Sequence, residues 1–235
     1  MRRAVLERQR RWSRARPSPG DDRGMTLVEL IVAMGIFTVI IAVFMSGVVV
    51  MTRDTARAQA VSDAGTEVRS AFQRFDRDVR YASAINLPWF GTGASSSAFY
   101  VEYLVSAVEG GKLPQCTQWR YVPGTGGANG VLQRRTWSDG SVPSPLPAWT
   151  TEASNVRNDL SQPGQRPFQM SVTLKQQLRV VLDIGPGPGG PNARKGAGLD
   201  AFFVARNTTD QTVTRTDKNG DRVSDSPVCQ GVGRS

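Results

Sequence analysis

From Met25 to Met51 the chain reads MTLVELIVAMGIFTVIIAVFMSGVVVM, 27 residues whose only charge is Glu29. At about 1.5 Å of rise per residue, a helix of this length exceeds the ~30 Å of bilayer hydrocarbon, so the stretch predicts a membrane span. The 24 residues before it hold eight arginines against Glu7, Asp21 and Asp22, which is +5 of the chain's total of +9. After the span only Arg53 and Arg57 lie close, so the charge bias predicts a cytoplasmic N-terminus with the bulk of the chain outside.

A plain signal anchor and a cleaved secretory signal would share the same apolar run. The run is longer than the usual apolar core of about 7 to 15 residues in a secretory signal, although Ala58-Gln59-Ala60 supplies an A-x-A site beyond Arg53, Asp54 and Arg57. A plain anchor gives no account of Glu29, because an acidic side chain within a span costs ~2.5 to 3.5 kcal/mol. Cleavage after Gly24 would create an α-amino group at Met25, four residues from Glu29 on one helical face, and the two charges could pair. Gly24 is otherwise an ordinary loop glycine; as a scissile residue it offers an extended backbone with no side chain to accommodate.

The string Gly24-Met25-Thr26-Leu27-Val28-Glu29-Leu30 resembles the class III signal of type IV prepilins and type II secretion pseudopilins. The resemblance implies cleavage between Gly24 and Met25 by a prepilin peptidase on the cytoplasmic side, and methylation of Met25. Glu29 would then neutralise a subunit N-terminus during filament assembly. Met25 departs from the commoner phenylalanine, a departure the family tolerates. The implied fold is α+β and pilin-like, with a long N-terminal helix, membrane-embedded in its first half, packed on an antiparallel sheet. The implied partners are the peptidase, other pilin or pseudopilin subunits and the inner or cytoplasmic membrane. On this reading residues 1–24 form a cleaved basic leader, 25–51 the membrane half of the helix, 52–86 its extracytoplasmic half and 87–235 a β-rich head.

Beyond the span, Val61, Ala64, Val68, Ala71, Phe72, Phe75, Val79 and Ala82 recur at intervals that draw one apolar stripe along a helix. Asp63, Glu67, Arg69, Arg74, Asp76, Asp78 and Arg80 occupy the rest, with Arg74/Asp78 and Asp76/Arg80 at pairing distance, and read as a solvated face. Pro88 closes the pattern, so the helix is expected from Met25 to Ile85, about 61 residues and roughly 90 Å. Phe72 to Ile85, FQRFDRDVRYASAI, is similar to the corresponding stretch of J-type minor pseudopilins. Gly35, Gly47 and Gly65 are places where the stem could bend or be approached closely.

Runs rich in β-branched and aromatic residues follow at Phe99–Val105, Thr117–Val122, Val131–Trp137, Phe168–Leu174, Leu178–Ile184 and Phe202–Arg206, and read as antiparallel strands. Pro123–Gly130, Ser141–Trp149 and Gly185–Gly198 are rich in glycine, proline and serine and read as loops.

The chain has no histidine, which removes the commonest general base and metal ligand, and its two cysteines form no CxxC pair. GPGPGG lacks the Gly-Lys-Ser/Thr ending of a phosphate loop, and its prolines remove the N–H groups that would bind phosphate. The basic excess shows no aromatic-interleaved face, so nucleic acid is not expected as a partner. Asp217, Asn219, Asp221 and Asp225 place oxygens at alternate positions, as calcium loops do, though without EF-hand order; a polar turn is the plainer reading. In an exported head Cys116 and Cys229 read as a disulfide, worth ~4 kcal/mol in the chain-entropy model, with two unpaired thiols as the alternative. Asn207-Thr208-Thr209 fits a glycosylation sequon. The expected role is structural, a minor pilin or pseudopilin and not an enzyme; the rival is a secreted or anchored binding domain, which would need a cleft with convergent polar groups.

Overall fold

The computed structural model describes residues 24–91, 97–106, 113–140, 145–172, 174–187 and 196–229, so most of the basic leader lies outside the described residues. The chain divides into two compact units, Met1–Met51 and Thr52–Ser235. One helix, α1 (Leu27–Arg80, 54 residues), contributes to both.

In the first unit every described residue is exposed, including Leu27, Val28, Ile31, Phe37, Ile40 and Phe44. This is the one described helix long and apolar enough to cross a membrane. An apolar surface this long without a protein cover is what a bilayer-solvated segment presents.

In the second unit α1 meets the sheet through Ala64, Ala71, Phe75 and Val79, all buried, with Val68 packed beside them. The expected stripe is therefore the packing face. Alanines let the helix approach the sheet closely, and Phe75 fills the space left between them. Its ring stacks on Trp119 with centroids 4.2 Å apart and leans on Phe168 and Phe203. Burying such a ring is worth about 1.5 to 3 kcal/mol, and the aromatic pair about 1 kcal/mol more.

The strands are β1 (Ala82–Ile85), β2 (Trp89–Phe90), β3 (Phe99–Val105), β4 (Gln115–Val122), β5 (Gly130–Ser138), β6 (Thr150–Val156), β7 (Phe168–Val172), β8 (Gln176–Ile184) and β9 (Ala197–Val204). All pair antiparallel in one sheet of order β1-β3-β4-β5-β6-β8-β7, with β2 also on β3 and β9 on β8. The α+β, pilin-like expectation holds: one long N-terminal helix followed by a curled antiparallel sheet.

The largest differences from the sequence reading are three. The helix was expected to reach Ile85 but ends at Arg80, and Ala82–Ile85 form β1 against β3. Ala82 and Ile85 fit the helical spacing equally well; a ladder and a distant glutamine, described below, decide against it. Strand β6, with the polar sequence TTEASNV, had no apolar run to announce it. Strand β9 begins at Ala197, inside the glycine-rich stretch expected as a loop, because Gly198 pairs with Asp183 on β8.

Strand alternation gives the sheet two covered faces. Phe99, Val101, Tyr103, Trp119, Tyr121, Leu132, Leu178, Val180 and Leu182 point into the core that α1 covers. On the opposite face Glu102, Gln118 and Arg135 sit side by side in neighbouring strands, all buried. Asn86 Nδ2 donates to Glu102 Oε1 at 3.1 Å, Gln118 Nε2 to Glu102 Oε2 at 2.9 Å and Arg135 Nε to Gln118 Oε1 at 2.8 Å. Trp149 lies against this row, with the guanidinium carbons of Arg120 and Arg135 at 4.1 and 4.3 Å from its ring centroid.

Candidate functional site

The junction named by sequence is laid out by the first turn of α1. Thr26 stands at the N-cap: its Oγ1 accepts the Glu29 N–H at 3.3 Å, and its carbonyl accepts the Leu30 N–H at 3.1 Å. Thr26 and Glu29 thus have the Thr-x-x-Glu spacing of a capping box, and the carboxylate falls in the first helical turn, where the helix dipole favours negative charge. The sequence reading started the helix at Met25. The structure leaves Gly24 and Met25 ahead of it in non-helical backbone, both exposed, and a Cβ at Gly24 would meet nothing within 4 Å among the described residues.

Cys116 and Cys229 are joined in a disulfide across 113 residues, with Cα atoms 5.7 Å apart. It anchors the C-terminal segment to β4. Beside it, the Asn86 amide acts as a strand residue would: Val228 N–H donates to Asn86 Oδ1 at 2.9 Å, and Asn86 Nδ2 donates to the Val228 carbonyl at 3.1 Å. Trp137 and Leu104 pack around the sulfurs, so the tail covers one end of the second sheet face.

The turn carrying Asp217, Asn219, Asp221 and Asp225 is closed by its own backbone. Asp217 Oδ1 accepts from Gly220 N at 2.7 Å and Asp221 N at 3.1 Å, its Oδ2 from Arg222 N at 2.9 Å, Asp221 Oδ1 from Val223 N at 2.8 Å and Asp225 Oδ2 from Lys218 N at 2.8 Å. Among the described residues the one group of three acidic or thiol side chains close enough to share an ion is Cys116, Asp139 and Cys229, whose sulfurs are in the disulfide. Asp217, Asp221 and Asp225 do not converge in that way. The hydrogen bonds from its backbone close the turn on itself.

The helix face expected to be solvated is partly used. Glu67 accepts from Ser154 N and Ser154 Oγ, both at 3.0 Å, and so ties α1 to β6. Arg74 pairs with Glu152 at 3.0 Å and not with Asp78, which pairs with Arg77 at 3.2 Å; Asp76 and Arg80 pair as expected at 2.5 Å. The Arg120–Trp149–Arg135 stack was also missed, because its members come together only across strands. Burial, and then the neighbouring Arg120 charge, push the Arg135 guanidinium below its ordinary value. The alternating polar positions in β4 and β5 were the available signal.

With the geometry in place, the comparisons add one finding. Residues 20–45 match the family model for the prokaryotic N-terminal methylation motif, which spans the Gly24–Met25 junction and the first part of α1. No curated protein and no solved structure matches the chain.

Proposed function

We propose that this chain, which carries the N-terminal methylation motif typical of type IV prepilins and pseudopilins, is a structural subunit of an extracytoplasmic filament. The motif and the apolar helix support a pilin- or pseudopilin-type subunit anchored by a single membrane span. The match over residues 20–45 is the observation that carries the reading.

The finer steps follow from the chemistry. A prepilin peptidase cuts between Gly24 and Met25 on the cytoplasmic side, removing the arginine-rich leader. Met25 becomes the methylated terminus. Glu29, held in the first turn by the Thr26 cap, supplies the carboxylate that neutralises a subunit N-terminus as helices pack. The head lies outside, where the Cys116–Cys229 disulfide is at home in an oxidising compartment. The reading needs no catalytic group; the chain acts through packing, as a minor subunit of a pilus or secretion pseudopilus.

The test is the N-terminal mass of the membrane-extracted protein, with and without a co-expressed prepilin peptidase. The expected product begins at methylated Met25, requires the peptidase and is lost in Gly24→Arg. Glu29→Val should still be cleaved yet fail to enter filaments. A product starting at Val61 would identify a secreted domain, and an intact Met1 a signal anchor; either result sinks the filament reading.

A further inference from the structure

Most arginines described in the second unit are matched. Arg74, Arg77, Arg80, Arg134, Arg157 and Arg179 each meet a carboxylate. Arg120 and Arg135 stack on Trp149. On α1, Arg69, Arg53 and Arg57 have no such partner among the described residues, and of these Arg53 and Arg57 line a common cleft. They lie one turn apart on α1, exposed, and neither they nor the adjacent Asp54 has an ion-pair or hydrogen-bond partner among the described residues. Together with Ala56, Ala60 and Pro186 they line a cleft of about 620 Å³. Pro186 reaches it from the loop after β8, so the tertiary fold, not the helix alone, makes the cleft.

Position supplies the second argument. Arg53 follows Met51, the last residue of the apolar run, by two residues, or about 3 Å of helical rise; Arg57 follows it by about 9 Å. Bilayer headgroups occupy about 5 to 8 Å beyond the hydrocarbon on each side. Helical side chains lean toward the helix N-terminus, here toward the apolar run, so the long Arg57 side chain can reach back to the depth of Arg53. Two guanidiniums against a single carboxylate leave a net positive cleft directly after the apolar run, and a guanidinium binds phosphate oxygens in bidentate fashion.

We infer that Arg53 and Arg57, in the cleft closed by Pro186, bind the phosphate of an anionic phospholipid in the outward-facing leaflet. The inference rests on the reading of residues 25–51 as a membrane span. It gives the subunit a specific lipid contact at the point where helix leaves membrane, which would have to be released when the subunit is drawn into a filament.

The experiment uses the full chain in nanodiscs of phosphatidylcholine and phosphatidylglycerol in equal amounts, with lipids retained after collisional release counted by native mass spectrometry. Wild type is expected to retain phosphatidylglycerol preferentially. Arg53→Gln and Arg57→Gln should each lower that preference about five-fold, and the double variant should abolish it. Arg69→Gln, exposed but twelve residues beyond Arg57, should leave it unchanged. Unaltered preference in the double variant, or an equal loss in Arg69→Gln, overturns the inference. So does efficient crosslinking of an Arg57→Cys chain to a second copy without lipid preference, which would assign the arginines to a neighbouring subunit. Insertion is scored separately by resistance to carbonate extraction: a chain that does not insert overturns the span itself, whereas an inserted chain without preference overturns only the lipid site.

Discussion

Single side chains finish hydrogen-bond ladders where strands run out. Asn158 is the fullest case. Its Nδ2 donates to the carbonyls of Gln165 and Val181 at 2.7 and 2.8 Å, and its Oδ1 accepts from Asp183 N at 3.1 Å. Its own carbonyl accepts from the Tyr121 hydroxyl at 2.8 Å. Strands β6 and β8 are registered at the Val156–Ile184 pair, and Asn158 extends the join beyond it together with the Arg157 N–H, which donates to the Asp183 carbonyl at 2.7 Å. A phenolate in this setting would be buried and would lose its only acceptor, and burial, followed by the Asp159 charge, pushes Tyr121 up to about 12. The neutral form is the one the fold favours, so this contribution to stability is complete below the free-tyrosine value near 10. It is lost as pH rises from there through about 12, where the unfolded chain binds fewer protons. Burial also pushes Tyr103 well above its ordinary value. In a titration followed at 295 nm, Tyr121 and Tyr103 are expected to ionise only together with loss of the circular dichroism of the sheet. Ionisation of all four tyrosines near pH 10 with the sheet intact would contradict this.

At the level of elements, the boundary between α1 and β1 shows how tertiary contacts override a local pattern. Ile85 N–H donates to Gln176 Oε1 at 2.9 Å, and Gln176 Nε2 donates to the Ile85 carbonyl at 3.0 Å and to Thr214 Oγ1 at 3.0 Å. The buried amide pairs with Ile85 as a neighbouring strand would, and holds β1 extended. Gln176→Ala should leave the Ile85 N–H and carbonyl unsatisfied and cost about 2 to 4 kcal/mol in chemical denaturation of the full chain in micelles. Gln176→Glu, which can accept from Ile85 but not donate to it, should fall between. Wild-type stability in Gln176→Ala would show that the ladder to β3 alone fixes the strand. The stripe on α1, by contrast, was fully legible, because residues three and four apart share a face whatever they pack against.

Across the whole molecule, the second unit is closed by contacts between its ends. The disulfide spans 113 residues, and the Asn86–Val228 pair spans 142. Replacing both cysteines by serine is expected to lower unfolding stability by about 4 kcal/mol while leaving α1 helical. The tail should become protease-sensitive first, since it would then be held without a covalent tie, by the Asn86 and Ser224 hydrogen bonds and by packing at Trp137 and Leu104. A doubly substituted chain as stable and as protease-resistant as the parent would show that packing at Trp137 and Leu104 suffices.

The sequence by itself determined the apolar span, the N-terminal methylation motif, the packing stripe of α1 and most strand cores, all of which depend on residues near one another in the chain. It did not determine the ends of α1, the polar strand β6, the Arg120–Trp149–Arg135 stack or the cleft beside Arg53 and Arg57. Those depend on Gln176 meeting Ile85, Glu67 meeting Ser154, β4 and β5 aligning their outer residues, and Pro186 reaching α1. Local periodicity says which face of an element seeks burial. Which polar groups satisfy one another is settled only when distant segments are folded together and each buried donor must find an acceptor.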